Sequence, residues 1–459
     1  MDLSSAADIT SGVLVGADLR FTGVSTDSRE LAPGDLFVAI PGEHFDGHDY
    51  LKSALKGGAV GAVVDHVDDA EISQLMVEDT TIALGKLAQS WRARFEIPVL
   101  GITGSNGKTT VTGLIRNILS VSHNPLSPKE SFNNQWGVPL TLLKLTPRHT
   151  HAVIEMGMNH AGEIDYLSRI AAPTIALINN AAAAHLEGLG SLRQVALAKA
   201  EIISGVRSDG VVVLNADDNY FDLWKQHAGN RKIISFGLDN IAQITALNVR
   251  INPACSEFDL QIDGLSLRIS LPLAGRHNIM NALAAAATCI AAGIDPKEIV
   301  SGLESAKGKS GRLLTLETAS GAVVIDDSFN ANPSSSKAAI EVLANYPGKR
   351  ILVLGAMAEL GPEGEALHAE VGKAAATAGI DRLIVLADSG NSDVDGLLRG
   401  YGEKAECFDD IDALLESLQV DDKPGVTLLV KGSKSSRMGR VVELLVGNKN
   451  DKNSSETPC

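Results

Sequence analysis

A glycine-rich loop between an apolar strand and a helix constrains this chain more than any other feature. The stretch reads "VLGITGSNGKTTVTG" and covers residues 99–113. The common phosphate-loop pattern has a glycine where Ile102 stands, so this loop is a compressed variant. Gly104 and Gly107 let backbone N–H groups turn toward phosphate oxygens, and the following helix presents its positive N-terminus. We therefore predict a nucleotide-binding loop.

The residues around these glycines have distinct predicted roles. Lys108 supplies a mobile cation for β- and γ-phosphate oxygens, and the hydroxyl of Thr109 can join a Mg²⁺ shell. The remaining candidates for contact with the phosphates are Gly104, Ser105, Asn106, Gly107 and Thr110.

The pattern of strands and helices predicts an α/β protein with three domains. A chain of 459 residues corresponds to about three domains of roughly 150 residues each. Residues 1–88 mix short strands such as "DLFVAI" with the helical "DYLKSALKGG", which indicates a small α/β domain. Residues 89–311 repeat strand, loop and helix with strongly apolar strands, which is typical of a buried parallel sheet. Residues 312–447 repeat the pattern in a Rossmann-like domain, and the polar tail 448–459 is predicted to be disordered.

Charge and hydropathy exclude two broad classes of protein. The formal net charge of -16 argues against a general nucleic-acid binder. The N-terminal residues lack a basic segment followed by an apolar one, so no signal peptide is expected. The longest apolar run, residues 282–294, is shorter than the roughly 20 residues that span a bilayer. We expect a soluble cytoplasmic protein without membrane insertion.

Polar residues at the ends of predicted strands point to a metal site beside the loop. Ligands of open α/β sheets bind beyond the carboxyl ends of the strands. "HAVIEMG" places Glu155 at such an end, where an unpaired charge is costly, so it is either a metal ligand or one half of a structural ion pair. His185 follows the next strand and is either a second ligand or an ordinary core or surface histidine.

Lys199 lies in the helical pattern "VALAKAEII" among apolar neighbours. Taken alone, this position favours a lysine whose ammonium group reaches solvent along its aliphatic stem. The alternative is a lysine desolvated beside a metal, where the neutral and reactive amine is favoured.

Further candidates occur in the second half of the chain. Amides can bind an adenine edge, an arginine can bind a phosphate and an aspartate can bind a ribose diol. Each residue could equally cap a helix or shape a turn. The candidates are His277, Asn278, Arg312, Asp327, Asn330 and Asn332.

These motifs together resemble the Mur ligase family along almost the whole chain. The resemblance is carried by "VSTDSRELAPGDLFVAIPGEHFDGHDYL", "GITGSNGKTT", "SFNNQWGVPLTLL", "IEMGMNHAGEI", "NNAAAAHLEGLGSL", "AKAEI", "GRHNIMNALAAA", "IDDSFNANPSSS", "GAMAELG" and "LVKGS". It implies a monomeric ATP-dependent ligase of peptidoglycan precursor synthesis that requires ATP and two Mg²⁺ ions. The implied substrates are UDP-N-acetylmuramoyl-tripeptide, activated as an acyl phosphate, and D-alanyl-D-alanine. The pairing of "IEMGMNHAGEI" with "NANPSSS" favours this dipeptide as the amine.

The resemblance also implies residue roles. Lys108, His185 and Lys199 would be catalytic, and Thr109, Glu155, His185 and a carbamoylated Lys199 would hold the metal ions. His277 and Asn278 would bind adenine, Arg312 phosphate and Asp327 ribose. The expected UDP-substrate residues are Ser28, Arg29, His48, Asn133 and Asn134, and the expected dipeptide residues are Asn330 and Asn332.

Two other functions stay open at this point. One is a related amide ligase, either the family member that adds the third amino acid or a folylpolyglutamate synthase. The other is a nucleotide switch or scaffold without ligase activity, although the residues from 27 to 48 resemble a UDP-sugar site that a switch does not need. The third residue of the peptide, diaminopimelate or lysine, is also left open.

Overall fold

The computed structural model describes residues 1–42, 45–129, 131–387 and 392–447, and these residues form three sheets with helices packed on them. This arrangement confirms the predicted α/β fold class. The predicted disordered tail, 448–459, lies outside the described residues.

The first sheet has five strands in the order β1-β5-β4-β3-β2, and all neighbours are parallel except β1 and β5. The elements of this unit are α1 (Leu3–Thr10), β1 (Val13–Val15), β2 (Gly23–Ser25), β3 (Asp35–Val38), α2 (Leu51–Lys56), β4 (Gly61–Val64), β5 (Ser73–Met76) and α3 (Thr80–Arg92).

Helix α3 connects the first unit to the second. The Asp79 side chain caps it by accepting a hydrogen bond from the Ile82 N–H at 2.8 Å. Leu84 and Leu87 pack in the core of the first unit, whereas Ala88 packs in the core of the second. The boundary predicted at residue 88 therefore falls inside this helix, and the exact domain division stays a prediction.

The second sheet has nine strands in the order β14-β13-β12-β11-β10-β9-β6-β8-β7. Its elements are β6 (Val99–Thr103), α4 (Lys108–Leu119), β7 (Pro125–Leu126), α5 (Gly137–Leu142), β8 (His151–Glu155), α6 (Glu163–Ala171), β9 (Ile175–Ile178), α7 (Leu186–Leu189), α8 (Leu192–Ala200), β10 (Val211–Asn215), α9 (Phe221–Ala228), β11 (Lys232–Phe236), β12 (Ile244–Ile251), β13 (Ser256–Ile262), β14 (Leu265–Leu271), α10 (Arg276–Ala291) and α11 (Pro296–Glu304).

The central strands of this sheet are apolar along most of their length because helices cover both faces. Every residue of β6, β8 and β9 is buried. Leu100 and Ile102 pack in the same core as α4 and α10, and Val99 packs in the core on the opposite face with α6 and α8. The antiparallel ribbon formed by β12, β13 and β14 extends the sheet and was not part of the sequence prediction.

The third sheet has six strands in the order β15-β16-β20-β17-β18-β19; β15 is antiparallel to β16, and the other neighbours are parallel. The elements are β15 (Leu314–Glu317), β16 (Val323–Asp327), α12 (Pro333–Ala344), β17 (Lys349–Gly355), α13 (Gly364–Thr377), β18 (Arg382–Leu386), α14 (Asp395–Tyr401), β19 (Ala405–Phe408), α15 (Ile411–Leu418), β20 (Val426–Lys431) and α16 (Gly439–Val446). Its largely parallel order agrees with the predicted Rossmann-like unit. Across the described residues, no helix combines the length and apolar character needed to cross a bilayer.

Strand register brings the polar strand ends of the second unit together. Ile102 of β6 pairs with Glu155 of β8, and Thr103 pairs with Ile178 of β9. The glycine loop, Glu155 and the residues after β9 therefore lie at one edge of the sheet, where ligands of such folds bind.

Candidate active site

A cavity of 1130 Å³ opens at this edge, between the second and third units. Most of the predicted site residues line it. The second unit contributes residues 105–110, Asn133, Glu155, His185, His277 and Asn278. The third unit and the connection to it contribute Arg312, Asp327, Asn330 and Asn332.

The backbone of the glycine loop turns at two glycines with positive φ angles. Gly104 and Gly107 have φ angles of 154° and 79°, which favour glycine. A Cβ atom on Gly107 would overlap the side-chain oxygen of Asn281. The Lys108 ammonium folds back over the loop and donates to the Gly104 carbonyl at 2.7 Å and the Ser105 carbonyl at 3.3 Å. Burial lowers the pKa of Lys108, and the nearby carboxylate of Glu155 opposes that shift.

Glu155 is a buried carboxylate whose hydrogen bonding is incomplete. Its Oε1 accepts from Asn133 Nδ2 at 2.7 Å and from the Thr109 hydroxyl at 3.3 Å. Its Oε2 is buried and has no hydrogen-bond partner among the described residues. Because an unpaired buried carboxylate oxygen is costly, and because hydroxyl and carboxylate oxygens suit Mg²⁺, these residues fit a bound divalent cation.

His185 also lines the cavity, at the start of α7. Its side chain is 22% exposed, and its Nδ1 lies 2.5 Å from Oε2 of Glu359 in the third unit. This hydrogen bond lowers the pKa of Glu359. The histidine therefore stands at the junction of two units and also faces the cavity that contains Thr109 and Glu155.

Lys199 is fully buried on α8, so the interpretation that its ammonium reaches solvent is wrong. Its Nζ lies 3.3 Å from the sulfur of Met158, which lines the cavity, while Lys199 itself lies behind the wall. Burial lowers the pKa of Lys199 well below its ordinary value, and the charge of Lys108 adds to the effect. The structure therefore favours a neutral amine at this position.

The two adenine candidates differ in how far their hydrogen-bonding groups are already engaged by other residues. Burial lowers the pKa of His277 to about 4, so its ring is neutral at pH 7. The Asn278 amide donates to the Ala274 carbonyl at 2.8 Å, and its oxygen accepts from Asn281 at 3.2 Å. His277 is therefore the better placed of the two to form hydrogen bonds with a ligand.

The phosphate and ribose candidates line the same cavity from the third unit. The Arg312 guanidinium stacks 4.0 Å above the centre of the Phe329 ring, and its buried Nε has no partner among the described residues. Asp327 forms a 2.6 Å ion pair with Lys431. Burial nevertheless raises the pKa of Asp327, against the lowering effect of Lys431. An unpaired N–H beside a cavity suits an anionic ligand.

Asn330 and Asn332 have structural partners in addition to their place in the cavity wall. The Asn330 carbonyl accepts from Lys431 at 2.8 Å. Asn332 caps α12 through the Ser335 N–H, and its Nδ2 donates to the side chain of Asn106 in the glycine loop at 2.7 Å. Their contact with a dipeptide stays a prediction.

Four predicted substrate residues do not line this cavity. Arg29 is 86% exposed and pairs with Asp27 at 2.7 Å, and Ser28 lies beside it in the first unit. His48 is buried in the first unit. Asn134 lines a separate cavity of 300 Å³ and accepts from the Gly137 N–H at 2.9 Å. Their roles toward a UDP substrate stay predictions.

Sequence reasoning missed several polar residues at the cavity. Lys431, at the end of β20, is buried and pairs with Asp327. Asn179, directly after β9, donates from its side chain to the Asn106 carbonyl at 2.9 Å. The signal for both was a polar residue ending an apolar strand, which is the same signal that identified Glu155. Glu359 lies in the motif "GAMAELG", but no role was predicted for it.

Known protein families and structures match the chain over most of its length. Residues 20–92 match the family model "Mur ligase family, catalytic domain", residues 102–289 match "Mur ligase middle domain" and residues 311–434 match "Mur ligase, glutamate ligase domain". The UDP-N-acetylmuramoyl-tripeptide–D-alanyl-D-alanine ligase of Escherichia coli K12 is 44% identical, over 97% of this chain and 98% of that protein.

Two solved structures show the same fold. The crystal structure of MurF from Acinetobacter baumannii has a TM-score of 0.90 and 33% identity, and covers 97% of this chain and 98% of its own. The MurF ligase of Thermotoga maritima, solved in complex with ADP, has a TM-score of 0.81 and 26% identity, and covers 92% of this chain and 96% of its own. Together with the site geometry, these matches identify the chain as a member of the Mur ligase family.

Proposed function

We propose that this protein is an ATP-dependent ligase that adds D-alanyl-D-alanine to UDP-N-acetylmuramoyl-tripeptide in peptidoglycan precursor synthesis. The observation that carries the proposal is the 44% identity, over nearly the full length of both chains, to a ligase named for this reaction. We further propose that it works in the cytoplasm as a monomer. The absence of a membrane-spanning helix in the described residues supports a protein that does not insert into a bilayer.

The reaction has two chemical steps. The tripeptide carboxylate attacks the γ-phosphorus of ATP, which breaks the bond to ADP and forms an acyl phosphate. The neutral amine of the dipeptide then attacks the acyl carbon, and inorganic phosphate leaves as the amide forms and the amine loses a proton. Because carboxylate and triphosphate are both anionic, their approach requires neutralisation by fixed positive charge.

The residues of this chain divide that task. Lys108, held at the glycine loop, would move from the Gly104 carbonyl to the β- and γ-phosphate oxygens. Arg312 would contact phosphate through its Nε–H group, which has no partner among the described residues. His277 and Asn278 would bind the adenine and Asp327 the ribose. Ser28, Arg29, His48, Asn133 and Asn134 would bind the UDP-sugar side.

The metal ions of the reaction would be held at the same edge. Thr109 and Glu155 would hold one Mg²⁺, and His185 a second, together with Lys199 once its amine is carbamoylated. The buried, unpartnered Oε2 of Glu155 supports the first site, and the fully buried amine of Lys199 supports the carbamate, since a neutral amine is the form that reacts with CO₂. Bound Mg²⁺ supplies charge neutralisation for the phosphoryl transfer.

A phosphate-release assay with a panel of amines tests the proposal. The enzyme is supplied with ATP, Mg²⁺ and UDP-N-acetylmuramoyl-tripeptide, and then with D-alanyl-D-alanine, a free diamino acid or glutamate. We expect rapid phosphate release and a new amide only with the dipeptide. Release only when the tripeptide substrate is replaced by UDP-N-acetylmuramoyl-dipeptide with the diamino acid, or by a folate with glutamate, would identify one of the related ligases instead. Slow ATP hydrolysis at a rate that is the same with and without each peptide would identify a nucleotide switch. Peptides that end in diaminopimelate or in lysine, compared in the same assay, decide the third residue.

A further inference from the structure

Glu359 reaches His185 from a different unit of the fold. It lies in the loop between β17 and the short 3₁₀ helix Gly361–Glu363. Its Oε2 lies 2.5 Å from His185 Nδ1, and its backbone carbonyl accepts from the Glu187 N–H at 3.2 Å. Side chain and backbone therefore dock together on the start of α7, 174 residues away in the chain.

Both partners of this contact have strained backbone conformations. His185 has a φ angle of 58° and Glu359 a φ angle of 61°, and neither is glycine. A left-handed conformation is unfavourable for such residues, so it persists only where surrounding contacts hold it. Gly361, with a φ angle of 66°, packs this loop against Glu187. Two such residues facing each other across a unit boundary at a cavity indicate a contact that serves the site.

The hydrogen bond determines which nitrogen of His185 is available to the cavity. With Nδ1–H donated to the Glu359 carboxylate, the neutral ring carries its lone pair on Nε2. A metal-binding histidine is commonly oriented in this way, by a carboxylate on its other nitrogen. His185 lines the cavity that contains Thr109 and Glu155, so Nε2 is the atom that can serve a ligand there.

We propose that Glu359 is a positioning residue that orients His185 for the metal site and makes that site depend on docking of the third unit. This inference rests on the metal role of His185 in the proposed function. When the third unit moves away, His185 loses the acceptor that holds its ring, and the second metal position is weakened. When the unit docks, the histidine is oriented at the same moment that Arg312 and Asp327 reach the cavity.

Two substitutions and a matched control test the proposal. Glu359→Ala removes the acceptor, whereas Glu359→Gln keeps an oxygen that can accept from Nδ1. Glu363→Ala is the control, because it removes an exposed carboxylate from the same segment only four residues away. Mn²⁺ binding is measured by electron paramagnetic resonance on the full-length proteins with a non-hydrolysable ATP analogue. The values of kcat and KM are measured in the complete assay, and the melting temperature of each variant is recorded.

We expect Glu359→Ala to weaken one Mn²⁺ site about 10-fold and to lower kcat about 10-fold or more, with little change in the KM for ATP. Glu359→Gln should recover most of both losses, and Glu363→Ala should match the wild type. Unchanged Mn²⁺ binding in a folded Glu359→Ala protein would overturn the proposal, as would an equal loss in Glu363→Ala. The Mn²⁺ measurement needs no dipeptide, so it separates this inference from the choice of amine in the proposed reaction.

Discussion

Burial of Lys199 favours the neutral form of its amine over the ammonium form. Its amine is fully buried behind the cavity wall, and both burial and the charge of Lys108 disfavour the ammonium form. A carbamate formed on this amine would replace a neutral group by an anion.

We therefore expect Lys199→Ala to lose activity by at least about 100-fold, because removing an electrostatic group from a reaction centre has effects of this size. Acetate should restore part of the activity by occupying the space left by the carbamate. Lys225→Ala, which removes an exposed lysine from α9, is the control. The measurement is phosphate release over a range of acetate concentrations. Full activity of Lys199→Ala without acetate would contradict the carbamate role.

His277 predicts how stability depends on pH. Its pKa is lowered to about 4 by burial, from about 6.5 in the unfolded chain. The unfolded state therefore binds more protons between these values, so the contribution of His277 to stability is complete above pH 6.5 and is lost as the pH falls toward 4. We expect the wild type to lose about 1–3 kcal/mol more than His277→Gln in the free energy of unfolding between pH 7.5 and pH 5. Urea unfolding at both pH values measures this difference. His227→Gln, at an exposed histidine, should behave as the wild type.

Residues that follow buried strands could be predicted from the sequence, and residues that act across units could not. Glu155 ends an apolar strand and Lys108 follows the glycine loop, so the local pattern marks both. The roles of Lys431 and Glu359 depend on contacts with partners 104 and 174 residues away in the chain. The strand-end pattern marks Lys431 but not its partner Asp327, which the pairing of β16 with β20 brings beside it, and the Glu359 contact arises only when separate units meet.

At the scale of elements, the packing of α11 on α4 supports the glycine loop. A Cβ atom on Gly302 of α11 would overlap the backbone of Ile118 in α4, so the two helices approach as closely as their backbones allow. The N-terminus of α4 carries Lys108. The position of this helix against its neighbour therefore affects the position of the loop.

We expect Gly302→Ala to destabilise the protein by about 1–3 kcal/mol, because the added methyl group forces α11 away from α4. Gly113→Ala is the matched control within α4, since its Cβ would meet open space. That change should stabilise the helix by about 0.5–1 kcal/mol. Thermal or urea unfolding of both variants measures the two effects. Equal effects of the same sign would show that backbone contact does not limit the approach of these helices.

The strands of the parallel core could be predicted because helices cover both of their faces. Every residue of β6 is buried, so its run of apolar residues identifies it as a strand in the sequence. The ribbon of β12 to β14 alternates instead, as the burial of β13 shows, because only one of its faces is covered. That region has short turns and alternating polar and apolar residues, so it contains no continuous apolar run. Its place at the edge of the sheet depends on the pairing of β12 with β11.

At the scale of the whole molecule, α3 fastens the first unit to the second. A Cβ atom on Gly85 would overlap the hydroxyl of Tyr166 in α6, and the Trp136 indole donates to Thr81 at 3.2 Å. Both contacts join α3 to the second unit. A small residue at position 85 is therefore required for close docking.

Gly85→Ala should loosen this docking even though alanine favours a helix more than glycine does. We expect a larger radius of gyration in small-angle X-ray scattering and a raised KM for the UDP substrate, with ATP binding unchanged. Gly57→Ala is the control in the same unit, because its Cβ would make only ordinary contacts. An unchanged radius of gyration in Gly85→Ala would show that the Tyr166 ring can shift without cost to docking.

Helix α3 also affects how the chain unfolds. The same helix buries Leu84 and Leu87 in the core of the first unit and Ala88 in the core of the second. Unfolding of either core therefore removes packing contacts from the other. We therefore expect these two units to unfold together, so that a form which keeps the nucleotide loop after loss of the N-terminal sheet is not populated during denaturation.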